Sequence, residues 1–304
     1  MKIPFYKSPV LHGYVASNLF ALLVLGLTSV ISAREDSTLV FSEFVILPIV
    51  MGIIASWFWR NLEPKGGYLT INAVLNSMLA IALSYIFLGE GIICLIIVSP
   101  LIITFMITGT FIGKSMFKKN NQTLNVSVFS LLLVFFIADS LSNHHYENVV
   151  ADEIVIQARP EEVWKHVVAF ERIEQKNEFW LFQIGMPSPM QTTVTGNHLG
   201  AGRKCIFSNG YVFDEKIVTY KPEENLTFDI THQPQDPEIM GHIDILRGQF
   251  LLKDNGNGTT TLTGNSWYNL HVFPTWYYDI WAKSITRNVH LRVMDHIREL
   301  SEKS

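Results

Sequence analysis

The apolar runs of residues 1–141 constrain this chain most, because they are long enough to need lipid as their solvent. A helix takes about 20 mainly apolar residues to cross a hydrocarbon core about 30 Å thick. Five stretches reach or approach that length: 14–33, 43–59, 68–88, 91–113 and 124–141. Charges fall between them, whereas residues 150–304 carry most of the acids, bases and histidines. The expected organisation is an all-α transmembrane bundle over 1–141, a linker over 142–150 and a domain written for water over 151–304.

Within the apolar half, the second stretch carries an internal Pro48, which neighbouring helices can accommodate. Gly89-Glu90-Gly91 is the only break between the third and fourth, so these should form a helical hairpin. The first stretch also resembles a cleavable leader, with Lys2 and Lys7 before it and Ile31-Ser32-Ala33 at its end. Its length and the spans that follow favour retention as an anchor. The ionisable residues Glu43, Glu90 and Asp139 sit at the ends of stretches, the pattern of an anchor rather than an ion path. Gly109 to Ser115 looks like a phosphate loop, but its glycines are one residue too close and no strand precedes it.

Composition excludes several function classes. The net charge is −4, and no Lys/Arg cluster is interleaved with aromatics, so no nucleic-acid partner is expected. Cys94 and Cys205 lie in different halves, and no Cys/His spacing suggests a metal; His144-His145 lacks a third ligand. No cofactor is implied.

Beyond residue 150, period-two alternation marks strands at 153–157, 192–195, 203–208, 211–220, 226–232, 247–253 and 259–271. Asn209-Gly210 between two of them is a hairpin signal. Pro160, Glu161 and Glu162 start a helix in the way its N-terminal dipole favours. The chain closes with a helix from about Pro274, in which Trp281, Ile285, Val289, Val293, Ile297 and Leu300 form an apolar stripe. His290 and His296 lie off that stripe and read as solvated. A long helix after an antiparallel meander predicts an α+β helix-grip domain, its sheet curved around the C-terminal helix with a ligand cavity between them.

The order of strand, Ala158-Arg159-Pro160-Glu161-Glu162-Val163-Trp164, Gly200-Ala201-Gly202-Arg203, meander, Gly258-Thr259-Thr260-Thr261-Leu262-Thr263-Gly264 and terminal helix resembles the SRPBCC superfamily over roughly residues 150–302. That group includes START lipid-transfer domains, aromatic polyketide cyclases and the birch-pollen allergen family. The segment from Tyr268 through Pro274 to Ile297 is similar to membrane-anchored members of polyketide cyclase/dehydrase type. The resemblance implies a fold that hosts binding, transfer and catalysis alike.

Alternation puts His232 on the face of Leu226, Phe228 and Ile230, at the inner edge of the sheet. It also sets small Gly264 and Ser266 beside Tyr268, leaving room for a ligand. Arg203, Glu215, His232, Tyr268 and His271 are the polar candidates for lining that cavity, and Trp180 is an aromatic candidate in a lid over 179–190. Arg203 and Glu215 have a second reading, as a pair across the sheet. The expected function is binding or transfer of an apolar small molecule or lipid by a membrane-anchored domain, because no triad, metal motif or nucleotide loop is readable. The alternatives are a cyclase- or dehydrase-type enzyme, with Arg203 or Tyr268 stabilising an oxyanion and His232 or Glu215 as base, and a sensory or structural domain without turnover.

Lys and Arg set the orientation. Lys2, Lys7, Arg60, Lys65, Lys114, Lys118 and Lys119 lie on one side and Arg34 alone on the other. The N-terminus should be inside and, with five spans, the C-terminal domain outside, as an integral protein of a plasma or inner membrane. Reporter fusions at Lys119 and Ser304 should therefore report opposite sides of the membrane. The same side for both would overturn the topology.

Overall fold

The computed structural model describes residues 8–32, 42–62, 65–89, 91–117, 146–234 and 242–303, together with 130 and 137. The chain divides into two compact units, Met1–His144 with Val272–Pro274, and His145–His271 with Thr275–Ser304.

The first unit contains α1 (Pro9–Ser32), α2 (Leu47–Trp59), α3 (Gly66–Leu88) and α4 (Ile92–Met116). By length and composition, four helices of the described residues are apolar enough to cross a membrane. The fifth expected span lies outside the described residues except for 130 and 137, as do Glu90, Asp139 and His144. Pro48 is internal to the helical stretch, as expected: it stands where a π-helical turn over Ser42–Ile46 passes directly into α2. Gly89 ends α3 with φ +70°, a left-handed conformation that glycine adopts without strain, and Gly91 caps α4.

Helices α2 and α4 pack backbone against backbone. A Cβ on Gly52 would collide with the Met106 carbonyl, on Gly109 with the Ile49 carbonyl, and on Gly113 with the Ser56 side chain. The glycines that resemble a phosphate loop thus form a small-xxx-small surface, which lets the two helices approach closely.

The second unit is a seven-stranded antiparallel sheet of β1 (Tyr146–Ile156), β2 (Pro189–Val194), β3 (Gly202–Phe207), β4 (Val212–Lys221), β5 (Asn225–His232), β6 (Ile243–Asp254) and β7 (Thr260–Leu270), ordered β1-β7-β6-β5-β4-β3-β2. Helices α5 (Pro160–Val168) and α6 (Trp180–Gln183) lie between β1 and β2, and α7 (Thr275–Glu302) follows β7. Residues 146–150, expected as linker, belong to β1 and pair with the far half of β7, from Tyr146 against Leu270 to Val150 against Ser266, while 142–145 lie outside the described residues. Asn209-Gly210 turns β3 into β4, with Gly210 at φ +85°.

Curvature follows from what α7 touches. Its His290 reaches Asp152 on β1, and its Arg292 donates to the Pro189 carbonyl of β2 at 3.1 Å. Those strands are opposite edges of the sheet. A flat sheet of seven strands would set them about 29 Å apart, and a helix is only about 10 Å across, so the sheet curls around α7. Ile156, Val163, Val167, Ile217, Leu226, Leu262, Met294 and Ile297 form the densest core where α5, α7 and the sheet meet.

The buried face of α7 matches the expected stripe at Val293 and Ile297 and departs from it elsewhere. Ala282, Thr286 and His290 are also buried, whereas Trp281, Ile285, Val289 and Leu300 are half-buried. The face turns toward polar partners on the sheet, Asp152 and Ser266 for His290 and Tyr268 for Asp279.

Substituting Gly109→Leu should destabilise the first unit by at least the 1–3 kcal/mol that overpacking typically costs, about, read as a lowered heat-unfolding midpoint in micelles. Gly26→Leu, where a Cβ meets nothing within 4 Å, should leave that midpoint unchanged. Equal midpoints for the two variants would overturn the backbone contact.

Candidate functional site

The second unit offers three polar groups and one apolar surface. In the first group, β3 and β4 bring Arg203 directly opposite Glu215. They pair as ions with only 3% and 6% exposure. Arg203 Nε donates to the Val168 carbonyl at 3.1 Å, and its guanidinium lies over the Phe228 ring, 4.4 Å from the centroid. Burial pushes the Glu215 carboxyl up, and the Arg203 guanidinium pulls it back. Burial, then the charge of Glu215, pushes the Cys205 thiol up, against the pull of Arg203. Removing one member of such a pair strands a buried charge, the costly way to break it.

The second group was not legible as a site. His290 Nδ1 lies 2.9 Å from Asp152 Oδ2, and its Nε2 lies 2.8 Å from Ser266 Oγ. Burial lowers the imidazole below its ordinary value, and Asp152 offsets that in part. The neutral ring facing a carboxylate then carries its proton on Nδ1 and accepts the Ser266 hydroxyl at Nε2. Arg287 Nε stands 3.5 Å from the other Asp152 oxygen. The order resembles a hydrolytic triad, but Ser266 is mid-strand, paired with Val150 on one side and Gly248 on the other. A ladder on both sides occupies the backbone N–H groups that an oxyanion would need.

The third group surrounds Asp279. Tyr268 Oη donates to Asp279 Oδ1 at 2.7 Å, Asn148 Nδ2 to the same oxygen at 2.8 Å, and Lys283 Nζ reaches Oδ2 at 2.7 Å. Burial alone would raise the Asp279 carboxyl, but these partners outweigh it and hold it low. Burial and Asp279 push the Tyr268 phenol up.

Of the candidates from sequence, only Arg203 and Glu215 come together. Tyr268 is fully buried in the Asp279 group rather than lining open space. The room expected at Gly264 is taken, since a Cβ there would meet Met294 and then Phe250 and His290. His232 is exposed: β5 pairs with β6 only as far as Asp229, so the strand end at His232 is covered on one side alone, by Asp214 of β4. His271 Nε2 bonds Asp244 Oδ2 at 2.8 Å. Trp180 is 46% exposed, edge-on to Trp281 with centroids 6.4 Å apart. His290 and His296 are buried, not solvated. His296 Nε2 lies 3.1 Å from the Glu171 carbonyl, against the Phe170 ring. Their spacing from Val293 and Ile297 was the available signal, masked by the louder apolar stripe.

The apolar surface lies inside the curl. Alternation puts Cys205 and Phe207 on the face of Arg203, and register puts Phe213 opposite Cys205 and Ile230 opposite Glu215. All four are half-buried. Across from them, at 100° per residue, Ile285 and Val289 lie on α7 between its buried stripe and Arg292, the residue that reaches β2. They too are half-buried, as is Trp281. Phe207 and Phe213 pack on each other with ring centroids 5.1 Å apart, Ile230 lies against the main core, and Trp281 meets Trp180. Among the described residues, no three His, Cys, Asp or Glu side chains gather as a metal site.

Among solved structures, the chain is similar over about half its length to a truncated norcoclaurine synthase from Thalictrum flavum (12% identity, TM-score 0.38, covering 54% of this chain and 98% of that one). It is also similar to a protein from Mesorhizobium loti (16% identity, TM-score 0.34, covering 52% and 98%) and to one from Nitrosospira multiformis (18% identity, TM-score 0.33, covering 50% and 94%). The sequence matches no family model and no curated protein.

The His290 environment implies a pH dependence. An unfolded histidine takes up a proton near pH 6.5, about its ordinary value, and the folded chain, with His290 held lower, resists that proton. Stability is then full above the ordinary value and is lost as pH falls through it. His166 and His296 are lowered by burial as well and act in the same direction. His290→Gln should reduce the drop in heat-unfolding midpoint between pH 7.5 and 5.5. A drop as steep as in the wild type would show that His290 contributes nothing to it.

Proposed function

We propose that the second unit binds an uncharged apolar molecule, of lipid or polyketide-like chemistry, between the sheet and α7, and that the apolar helices hold this unit at a membrane. One observation carries the reading. Phe207 and Phe213 share the sheet face of Arg203, Ile285 and Val289 flank the buried face of α7, and all four stay half-buried. Interiors ordinarily pack to the density of organic crystals, so apolar side chains left half-covered on these two faces favour an occupant. The Arg203–Glu215 pair on the same face satisfies itself and demands no charge from a ligand.

A second reading, an enzyme acting on an apolar substrate, draws on the line from Asp152 through His290 to Ser266. An uncharged imidazole held by a carboxylate is the arrangement of a general base.

The test is titration of the 145–303 fragment with N-phenyl-1-naphthylamine, followed by mass spectrometry of what co-purifies with the full chain. Val289→Trp should weaken the probe at least about tenfold, or about 1.4 kcal/mol, with the circular dichroism unchanged. No binding by the wild type, or equal binding by the variant, would overturn the groove. Recovery of a bound molecule chemically altered by the wild type but not by His290→Ala would replace the carrier reading with the enzyme.

A further inference from the structure

The second unit carries a surface of exposed aromatic and aliphatic side chains at the start of α7. Trp276 and Ile280 are 67% and 62% exposed, and their spacing of four puts them on one face of the helix. Ring contacts carry the surface on to α6. Trp276 meets Tyr277 with centroids 5.9 Å apart, Tyr277 meets Trp281 at 6.4 Å, and Trp281 meets Trp180 at 6.4 Å. Trp180 is 46% exposed, and Ile184, whose N–H donates to the Trp180 carbonyl, is 49% exposed. Single exposed apolar residues are ordinary, but a contiguous group of this kind marks a surface that something covers.

Its place in the chain says what. Asp279, the residue before Ile280, accepts from Asn148 of β1 at 2.8 Å, and Asn148 Nδ2 lies 3.4 Å from the Tyr146 hydroxyl. β1 begins at Tyr146, so the surface adjoins the point where the chain arrives from the apolar stretches. With the expected span over 124–141, only the residues 142–145 intervene. Four residues reach at most about 14 Å, so this end of the unit is kept beside the lipid boundary. A surface on so short a tether meets lipid at high effective concentration, whereas a second copy or another protein must arrive by diffusion.

The side chains suit that neighbour. Trp and Tyr gather at the boundary between headgroups and acyl chains, where the ring is apolar and its N–H or O–H stays wet. Lys283 and Arg287 continue the exposed face of α7, but they face Asp279 and Asp152, which answer their charge within the unit. We propose that Trp180, Ile184, Trp276 and Ile280 insert into the boundary region of the bilayer, laying the start of α7 against the lipid without a need for anionic headgroups. This rests on the reading that the apolar helices hold the second unit at a membrane.

The experiment uses the full chain in phosphatidylcholine nanodiscs, with Cys94→Ala and Cys205→Ala and one new cysteine carrying a nitrobenzoxadiazole fluorophore. Part of the lipid bears a nitroxide near the top of its acyl chain. A label at Ile280→Cys should be quenched at least threefold more than one at Asn257→Cys, which lies in the turn between β6 and β7, at the far end of those strands. A label at Met78→Cys, a residue 59% exposed on α3, reads the anchor separately and should be quenched as well. Adding Trp276→Asp to the chain labelled at 280 should bring its quenching down to the level at 257. Quenching at 78 but not at 280 would overturn the proposal and leave the anchor standing, whereas quenching at neither would overturn both. Undiminished quenching after Trp276→Asp would show the label, rather than the surface, seeking lipid, and would overturn the proposal too. So would a blue-shifted label at 280 without quenching, the sign of a second copy or another protein on the surface.

Discussion

Everything in the second unit depends on how α7 is pinned inside the curled sheet. The helix is tied to one edge through His290 and Asp152, to β7 through Ser266 and Tyr268, and to the opposite edge through Arg292. Hydrophobic contact is indifferent to rotation, but a hydrogen bond is not. A slip of one residue would turn the helix by about 100° and part Asp152 from His290 and Tyr268 from Asp279, each a loss larger than a typical bond is worth. The polar pins therefore set the rotation, and the rotation decides that Ile285 and Val289 look across the curl.

The first unit is held by other means, as its solvent would require. Lipid gives two helices no hydrophobic reason to meet, so shape and polar contacts must supply it. Gly52, Gly109 and Gly113 let α2 and α4 touch along their backbones. Tyr14, Ser17, Asn18, Asn72 and Asn76 bind α1 to α3 through hydrogen bonds. The second unit uses glycine differently: at Gly248 a Cβ would strike the Phe228 ring, so its absence admits an aromatic side chain rather than a backbone.

Much of this architecture was legible, for reasons particular residues make clear. Asn209-Gly210 announced its hairpin because few residues besides glycine accept φ +85°. Pro160 marked the start of α5, and apolar length marked four helices. The partnership of Arg203 and Glu215 was one of two readings, and register decided it. What stayed hidden was hidden by polarity. A hydrophobic pattern finds apolar stripes, so it selected Trp281, Ile285 and Val289 and passed over His290, which is buried with Asp152 of β1 and Ser266 of β7 as partners. Gly264 and Ser266 were read as spare volume, although neither says what the helix opposite will place there. Met294 and His290 fill it. The search for ionisable groups among the spans overlooked Asn18 and Asn76, because amides are uncharged.

The displaced stripe bears on function more than the buried one does. Covering an Ile or Val side chain yields about 1.5–3 kcal/mol, and a whole domain is stable by only about 5–15 kcal/mol. A chain that leaves Ile285 and Val289 half-covered forgoes part of that gain. A ligand that enters gains the same burial without folding anything further, and only its own loss of freedom opposes it. On the proposed reading the polar pins and the open apolar walls are two sides of one arrangement. The pins keep α7 from rolling inward to bury Ile285 and Val289, and so hold open the surface that a guest would cover.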